Sequence, residues 1–123
     1  MRARRGRRER GQATVELALV LPVLVLMLLS LVQVALIARD YVLVVHAARA
    51  AAREASVDAG PARVRAAATR VLPHASVEVG AKPAVGQPIA VTVRYTIHGS
   101  VPLVGRLVPA RELRATSVMR VER

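Results

Sequence analysis

The chain has 123 residues, 19 basic side chains against 8 acidic ones for a formal charge of +11, 54% apolar residues, two tyrosines as its only aromatics and no cysteine. That length accommodates one small domain beside any membrane segment and excludes a two-domain enzyme. The missing thiols exclude a disulfide framework and a thiolate metal site, and the missing Phe and Trp leave no stacking surface for nucleic acid.

Arginine dominates the positive charge, with Lys82 the sole lysine. The first block, residues 1–11, holds Arg2, Arg4, Arg5, Arg7, Arg8 and Arg10 against Glu9. From Leu17 to Ala38 the charges then stop for 22 residues, interrupted only by Pro22, Ser30 and Gln33. As a helix that run is roughly 33 Å long, about one bilayer core, so it predicts a membrane-spanning helix over 17–38. Arginines ahead of the span, against a charge-balanced flank from Arg39 to Asp58, predict a cytoplasmic amino end and an extracytoplasmic carboxyl-terminal part. A cleaved signal peptide fits less well. The run exceeds the roughly 7–15 apolar residues of such a segment, and Leu36-Ile37-Ala38 is not a small-x-small cleavage site.

Past the span, DYVLVVHAARAAAREASVD contains neither Gly nor Pro and is rich in alanine, so the helix is expected to continue from about Gln12 to about Val57. An apolar stripe through Val42, Val45, Ala48, Ala52 and Ala55 is expected to face a partner, with Arg49 and Arg53 on another face. The Asp58 to Pro61 segment reads as a stop and restart, and ARVRAAATRVL as a second, shorter helix ending at Pro73.

The hydrophobic period then changes to two. Residues 76–79 alternate briefly, and Ile89 to His98 alternates throughout, with Ile89, Val91, Val93, Tyr95 and Ile97 on one face. Glu112 to Glu122 is a third strand, with Leu113, Ala115, Ser117, Met119 and Val121 on its apolar face. The connection from Val101 to Pro109 is unusually apolar: it either tucks under the sheet or forms an exposed patch for a partner or a lipid surface. The expected class is therefore a membrane-anchored α+β protein. A basic cytoplasmic leader (1–11) precedes a transmembrane helix with its alanine-rich extension (12–58), then an extracytoplasmic region (59–123) with a short second helix and a small three-stranded antiparallel sheet covered by the helices.

One carboxylate stands at the mouth of the apolar run. Glu16 is either an interfacial side chain stabilised by the helix dipole or part of a processing motif. Arg10-Gly11 followed by Gln12-Ala13-Thr14-Val15-Glu16 resembles the prepilin-peptidase site of type IV pilin-like proteins, in which cleavage after the glycine places glutamate at the fifth mature position. RGQATVELALVLPVLVLMLLSLVQVA as a whole resembles the amino-terminal signature of TadE-like proteins, minor pseudopilins of tight-adherence (Tad, or Flp) pilus assembly.

The resemblance implies cleavage between Gly11 and Gln12, a fifth-position role for Glu16, and Pro22 as the proline within the helix. Leu17 stands where the major pilins of such systems usually carry tyrosine, which together with the β region implies a minor or assembly subunit. Helix packing through the span would involve Pro22, Ser30 and Gln33. The last two either hydrogen-bond across that contact or are single polar residues the helix tolerates.

Partners implied are the cytoplasmic (inner) membrane, other pilin-like subunits and assembly machinery, and a prepilin peptidase. His46, His74 and His98 fall in three separate elements without carboxylate or thiol companions at ligand spacing, and no phosphate loop or nucleophile elbow occurs. No catalytic residue, metal or cofactor is expected, and the chain reads as a component and not an enzyme. The alternative is an uncleaved, signal-anchored protein whose external domain binds another surface partner.

Overall fold

The computed structural model describes residues 5–58, 60–81 and 83–122, with side chains from Gly11 onward. The leader residues Arg2 and Arg4, and Lys82, lie outside the described residues; Arg5, Arg7, Arg8 and Arg10 are described by backbone alone.

The first helix, α1, spans Arg5–Val57, 53 residues, which at the α-helical rise is about 80 Å. It starts ahead of the expected Gln12, within the arginine-rich leader. Arginine and glutamate are good helix formers, and a single glycine such as Gly6 or Gly11 costs only about 1 kcal/mol, too little to stop a helix. At its other end the Asp58 N–H donates to the Glu54 carbonyl at 2.8 Å. The Asp58 carboxylate then accepts from the Gly60 N–H at 2.9 Å and reverses the chain.

Helix α2, Pro61–Val71, has Pro61 in its first turn, where a missing N–H costs nothing. The Arg63 and Val64 N–H groups donate to the Gly60 carbonyl. The strands are β1 (Ser76–Val79), β2 (Pro88–Ile97) and β3 (Arg111–Arg120), forming one antiparallel sheet in the order β1-β2-β3. Opposed residues on its inner face are Val77 with Val93, Val79 with Val91, Ile89 with Met119 and Val93 with Ala115. Each lies on the apolar face read from the period-two pattern.

α1 and α2 cover that face. Val44, Ala47, Ala48, Ala51, Ala52 and Ala55 of α1 are buried together with Val64, Ala68 and Leu72 from the α2 segment and Ile89, Val91, Val93 and Val121 from the sheet side. The stripe on α1 is displaced from the expected one. Ala48, Ala52 and Ala55 are on it, but Val42 is exposed and Val45 half-buried, while Val44, Ala47 and Ala51 take the inner positions. The stretch YVLVV is apolar on every face, so periodicity there could not choose among faces; the sheet does. Alanines along α1 let its backbone approach the sheet closely, and β-branched residues opposite fill the space left.

On the outer face of the sheet Arg94 lies opposite Arg114, an unfavourable like-charge pairing, but its guanidinium also reaches two diagonal carboxylates. Arg94 Nη2 is 3.0 Å from Glu78 Oε2 and Nη1 is 3.8 Å from Glu112 Oε1, so one cation bridges all three strands. The carboxyl-terminal segment returns to α1: the Val121 N–H donates to the Gln87 carbonyl and the Glu122 N–H to the Ser56 carbonyl, both at 2.9 Å.

Candidate functional site

The residues singled out at the amino end lie along one continuous helix, α1. Gly11 and Gln12 are exposed, and a Cβ built on Gly11 meets nothing within 4 Å. Their peptide bond sits in regular helix, at a glycine, a weak helix former. Glu16 is exposed and stands four residues after Gln12, so the two share a helical face with Cβ atoms about 5–6 Å apart. Helical Cα–Cβ bonds tilt toward the amino end, so the Glu16 side chain leaves the backbone in the direction of the turn that holds Gln12.

Pro22 lies within α1 without ending it. Its ring removes the N–H that would have bonded the Ala18 carbonyl, so that acceptor lacks its usual helical donor within the apolar run. Around it Leu17, Leu19, Leu21, Val23, Leu24 and Met27 are all exposed. The helix is long and apolar enough to cross a membrane, with 6% of its most apolar window buried. An apolar surface of that extent is not covered by the rest of the chain and calls for lipid or other apolar helices.

Ser30 is exposed and its hydroxyl donates to the Leu26 carbonyl at 2.8 Å, so its polarity is satisfied within its own helix. Gln33 differs. It is 3% exposed, and its side-chain Oε1 accepts the backbone N–H of Val101 at 3.1 Å across 68 positions of sequence. The apolar connection between β2 and β3 thus descends along α1 to Gln33, inside the run expected to span the membrane.

That connection resolves both ways at once. Val101 and Gly105 are buried, Val104 and Val108 half-buried, while Leu103 and Leu107 are exposed. Its base is a crossing of two glycines: a Cβ on Gly99 would collide with the Gly105 carbonyl oxygen, and one on Gly105 would lie 2.7 Å from the Gly99 carbonyl carbon. The Gly105 N–H donates to the Val101 carbonyl at 2.7 Å, closing the turn, and a 3₁₀ turn at Gly105–Leu107 follows. Leu103 sits at φ 65°, a left-handed conformation that costs a residue with a side chain roughly 1–2 kcal/mol. The Gln33–Val101 bond and the Gly99–Gly105 crossing escaped the sequence reading. The one available signal was Gln33 itself, a polar side chain near the carboxyl-terminal end of an otherwise apolar run.

Elsewhere His46 lies on α1, His74 in the turn before β1 and His98 just after β2, all three exposed and not brought together. Among the described residues no group of three potential metal ligands occurs. A shallow depression between α1 and α2 is lined by Arg53, Glu54, Asp58, Arg63 and Arg70, with Arg63 Nη1 3.1 Å from Asp58 Oδ2. That contact is a solvated surface ion pair of small energetic weight.

Comparison with known protein families gives one match: residues 11–53 fit the family model described as TadE-like protein. The match begins at Gly11 and ends within the alanine-rich extension of α1, so it takes in Gln12, Glu16, Pro22, Ser30 and Gln33. No curated protein and no solved structure matches the chain. The resemblance read from the amino-terminal residues is borne out.

Proposed function

We propose that this TadE-like chain is a minor pilin-like subunit of a tight-adherence (Flp) pilus assembly or secretion system, a structural component and not an enzyme. The observation that carries the reading is the family match beginning at Gly11, on a helix whose run from Leu17 to Ala38 is apolar and whose later part carries a small folded unit.

In this reading α1 anchors the chain in the cytoplasmic membrane, with the arginine leader inside and the α2–sheet unit outside. A prepilin peptidase cuts between Gly11 and Gln12. The bond is exposed and lies at a glycine, a weak helix former, so few favourable interactions are lost when the chain unwinds to enter a protease. Cleavage frees an α-amino group on Gln12, on the helical face shared with Glu16, and supplies a positive partner for a carboxylate at the edge of lipid. That amine belongs to the same chain or to a neighbouring subunit. Association with other pilin-like helices proceeds through the exposed Leu, Val and Met side chains of the run, with Pro22 and Ser30 on the helix. The Gln33 Oε1 already accepts the Val101 N–H inside the chain, which leaves that oxygen less available to a neighbour.

The test is the intact mass and amino-terminal sequence of the protein recovered from its own membranes, with and without the host prepilin peptidase. The expected result is a chain beginning at Gln12 only when the peptidase is present. A chain still beginning at Met1 in both strains would refute processing and leave an uncleaved membrane-anchored domain.

A further inference from the structure

We infer that the connection between β2 and β3 is a second membrane contact, in which Leu103 and Leu107 enter the interfacial layer of the outer leaflet beside α1. The inference rests on the reading of α1 as membrane-spanning, and is independent of cleavage at Gly11.

The depth follows from Gln33. Its bond to the Val101 N–H fixes the start of the connection against α1 five residues before the apolar run ends at Ala38. Five residues of helix are about 7.5 Å, which is within the roughly 5–10 Å that an interfacial segment occupies below the membrane surface. The partly covered face of α1 continues in both directions from Gln33, through Leu29, Leu36, Ile37 and Asp40. Two and six residues past that anchor, the two leucines of the connection are exposed, Leu103 at 67% and Leu107 at 81%.

The geometry holds them there. The Gly99–Gly105 crossing admits no side chain at either position, the buried Val101 anchors the near side, and Leu103 is kept in the left-handed region at the apex. A tightly closed turn with its leucines turned outward has no use for them in water. The charge pattern agrees with a lipid surface: between Gly99 and Ala110 the sole charged residue is Arg106, exposed and able to carry its guanidinium to anionic headgroups while its stem lies in the apolar layer. No acidic side chain opposes it within the connection.

The opposite end of the folded unit gives a built-in reference. The Glu122 N–H bonds the Ser56 carbonyl, and Gly86 and Gln87 bond Val121, so Val85 lies near the far end of α1, 23 residues beyond Gln33 and about 35 Å along its axis. Val85 is also exposed, at 68%.

The absence of native cysteine permits a direct test with the full-length chain. Leu24→Cys, Leu103→Cys, Leu107→Cys and Val85→Cys are each labelled with bimane and reconstituted into phosphatidylethanolamine–phosphatidylglycerol vesicles carrying nitroxide lipids at shallow or deep acyl positions. The expected result is a blue shift and loss of emission at 103 and 107, stronger with the shallow nitroxide, quenching at 24, and neither effect at 85. Quenching at 24 with 103 and 107 behaving like 85 would overturn the second contact while leaving the spanning helix in place. An unquenched label at 24 would overturn both. A blue shift at 103 and 107 without nitroxide quenching, reversed by diluting labelled with unlabelled protein, would identify a second copy of the chain on the patch and also overturn the inference.

Discussion

Gln33 shows how one side chain ties an apolar helical run to a folded unit. A buried glutamine in an apolar run is costly unless its polar atoms are bonded, and here a backbone N–H 68 positions away supplies a bond to its oxygen. Replacing Gln33 with leucine keeps the volume and leaves the Val101 N–H buried without an acceptor. The expected loss is about 1–3 kcal/mol of stability, read from denaturant unfolding in detergent micelles. Unchanged stability would mean that apolar contacts alone hold the connection to α1. Gly99 is the second sensitive position. In Gly99→Ala the new Cβ must occupy the place of the Gly105 carbonyl oxygen, so the crossing opens, and limited proteolysis is expected to cut within residues 99–108 where the parent chain resists. Equal protease resistance would contradict a closed crossing.

Among the elements, the seam between α1 and the sheet rests on small side chains. Ala51 and Ala52 are fully buried against a sheet face that presents Ile89, Val91 and Val93. Ala51→Leu introduces a branched side chain where the helix already touches the sheet, and is expected to cost about 1–3 kcal/mol through overpacking. Ile89→Ala attacks the same seam from the other side and is expected to cost about 2–5 kcal/mol through the cavity it leaves. Both are measured by chemical denaturation of the full chain, and a neutral Ala51→Leu would show that the seam is looser than its burial implies. The strands were legible in the sequence because a sustained period of two permits one inward face. The stripe on α1 was legible only in part. Ala48, Ala52 and Ala55 follow a helical period, but the unbroken apolar stretch from Tyr41 to Val45 satisfies any period, and packing against the sheet selected Val44 over Val42.

For the molecule as a whole the main contrast is between two halves of one helix. The run that begins at Leu17 is apolar and, in its most apolar window, nearly uncovered; the stretch from Val44 to Ala55 is alanine-rich and buries one face under α2 and the sheet. A folded unit clasped to the carboxyl-terminal part of a long helix, with the apolar run left uncovered, is the arrangement that the proposed pilin-like subunit needs. In that setting Glu16→Ala is expected to leave the protein folded and membrane-bound but to abolish its incorporation with other pilin-like subunits, measured by co-purification of those subunits from membranes and by pilus counts. Normal assembly by Glu16→Ala would reduce Glu16 to an interfacial side chain and favour a plain anchored domain.

Residue order was enough to show the apolar run, the change of period from helix to strand and the amino-terminal resemblance to TadE-like proteins, because each depends on residues close together in the chain. Helical and strand periods, charge exclusion and the short spacing from Gly11 to Glu16 are local properties. Which face of α1 meets the sheet, that Gln33 serves Val101, and that Val101 tucks in while Leu103 and Leu107 point out became visible only in the folded chain. Those outcomes depend on a contact between residues 33 and 101 and on the crossing of Gly99 with Gly105, where steric exclusion and one buried hydrogen bond choose between arrangements that hydrophobicity leaves equal.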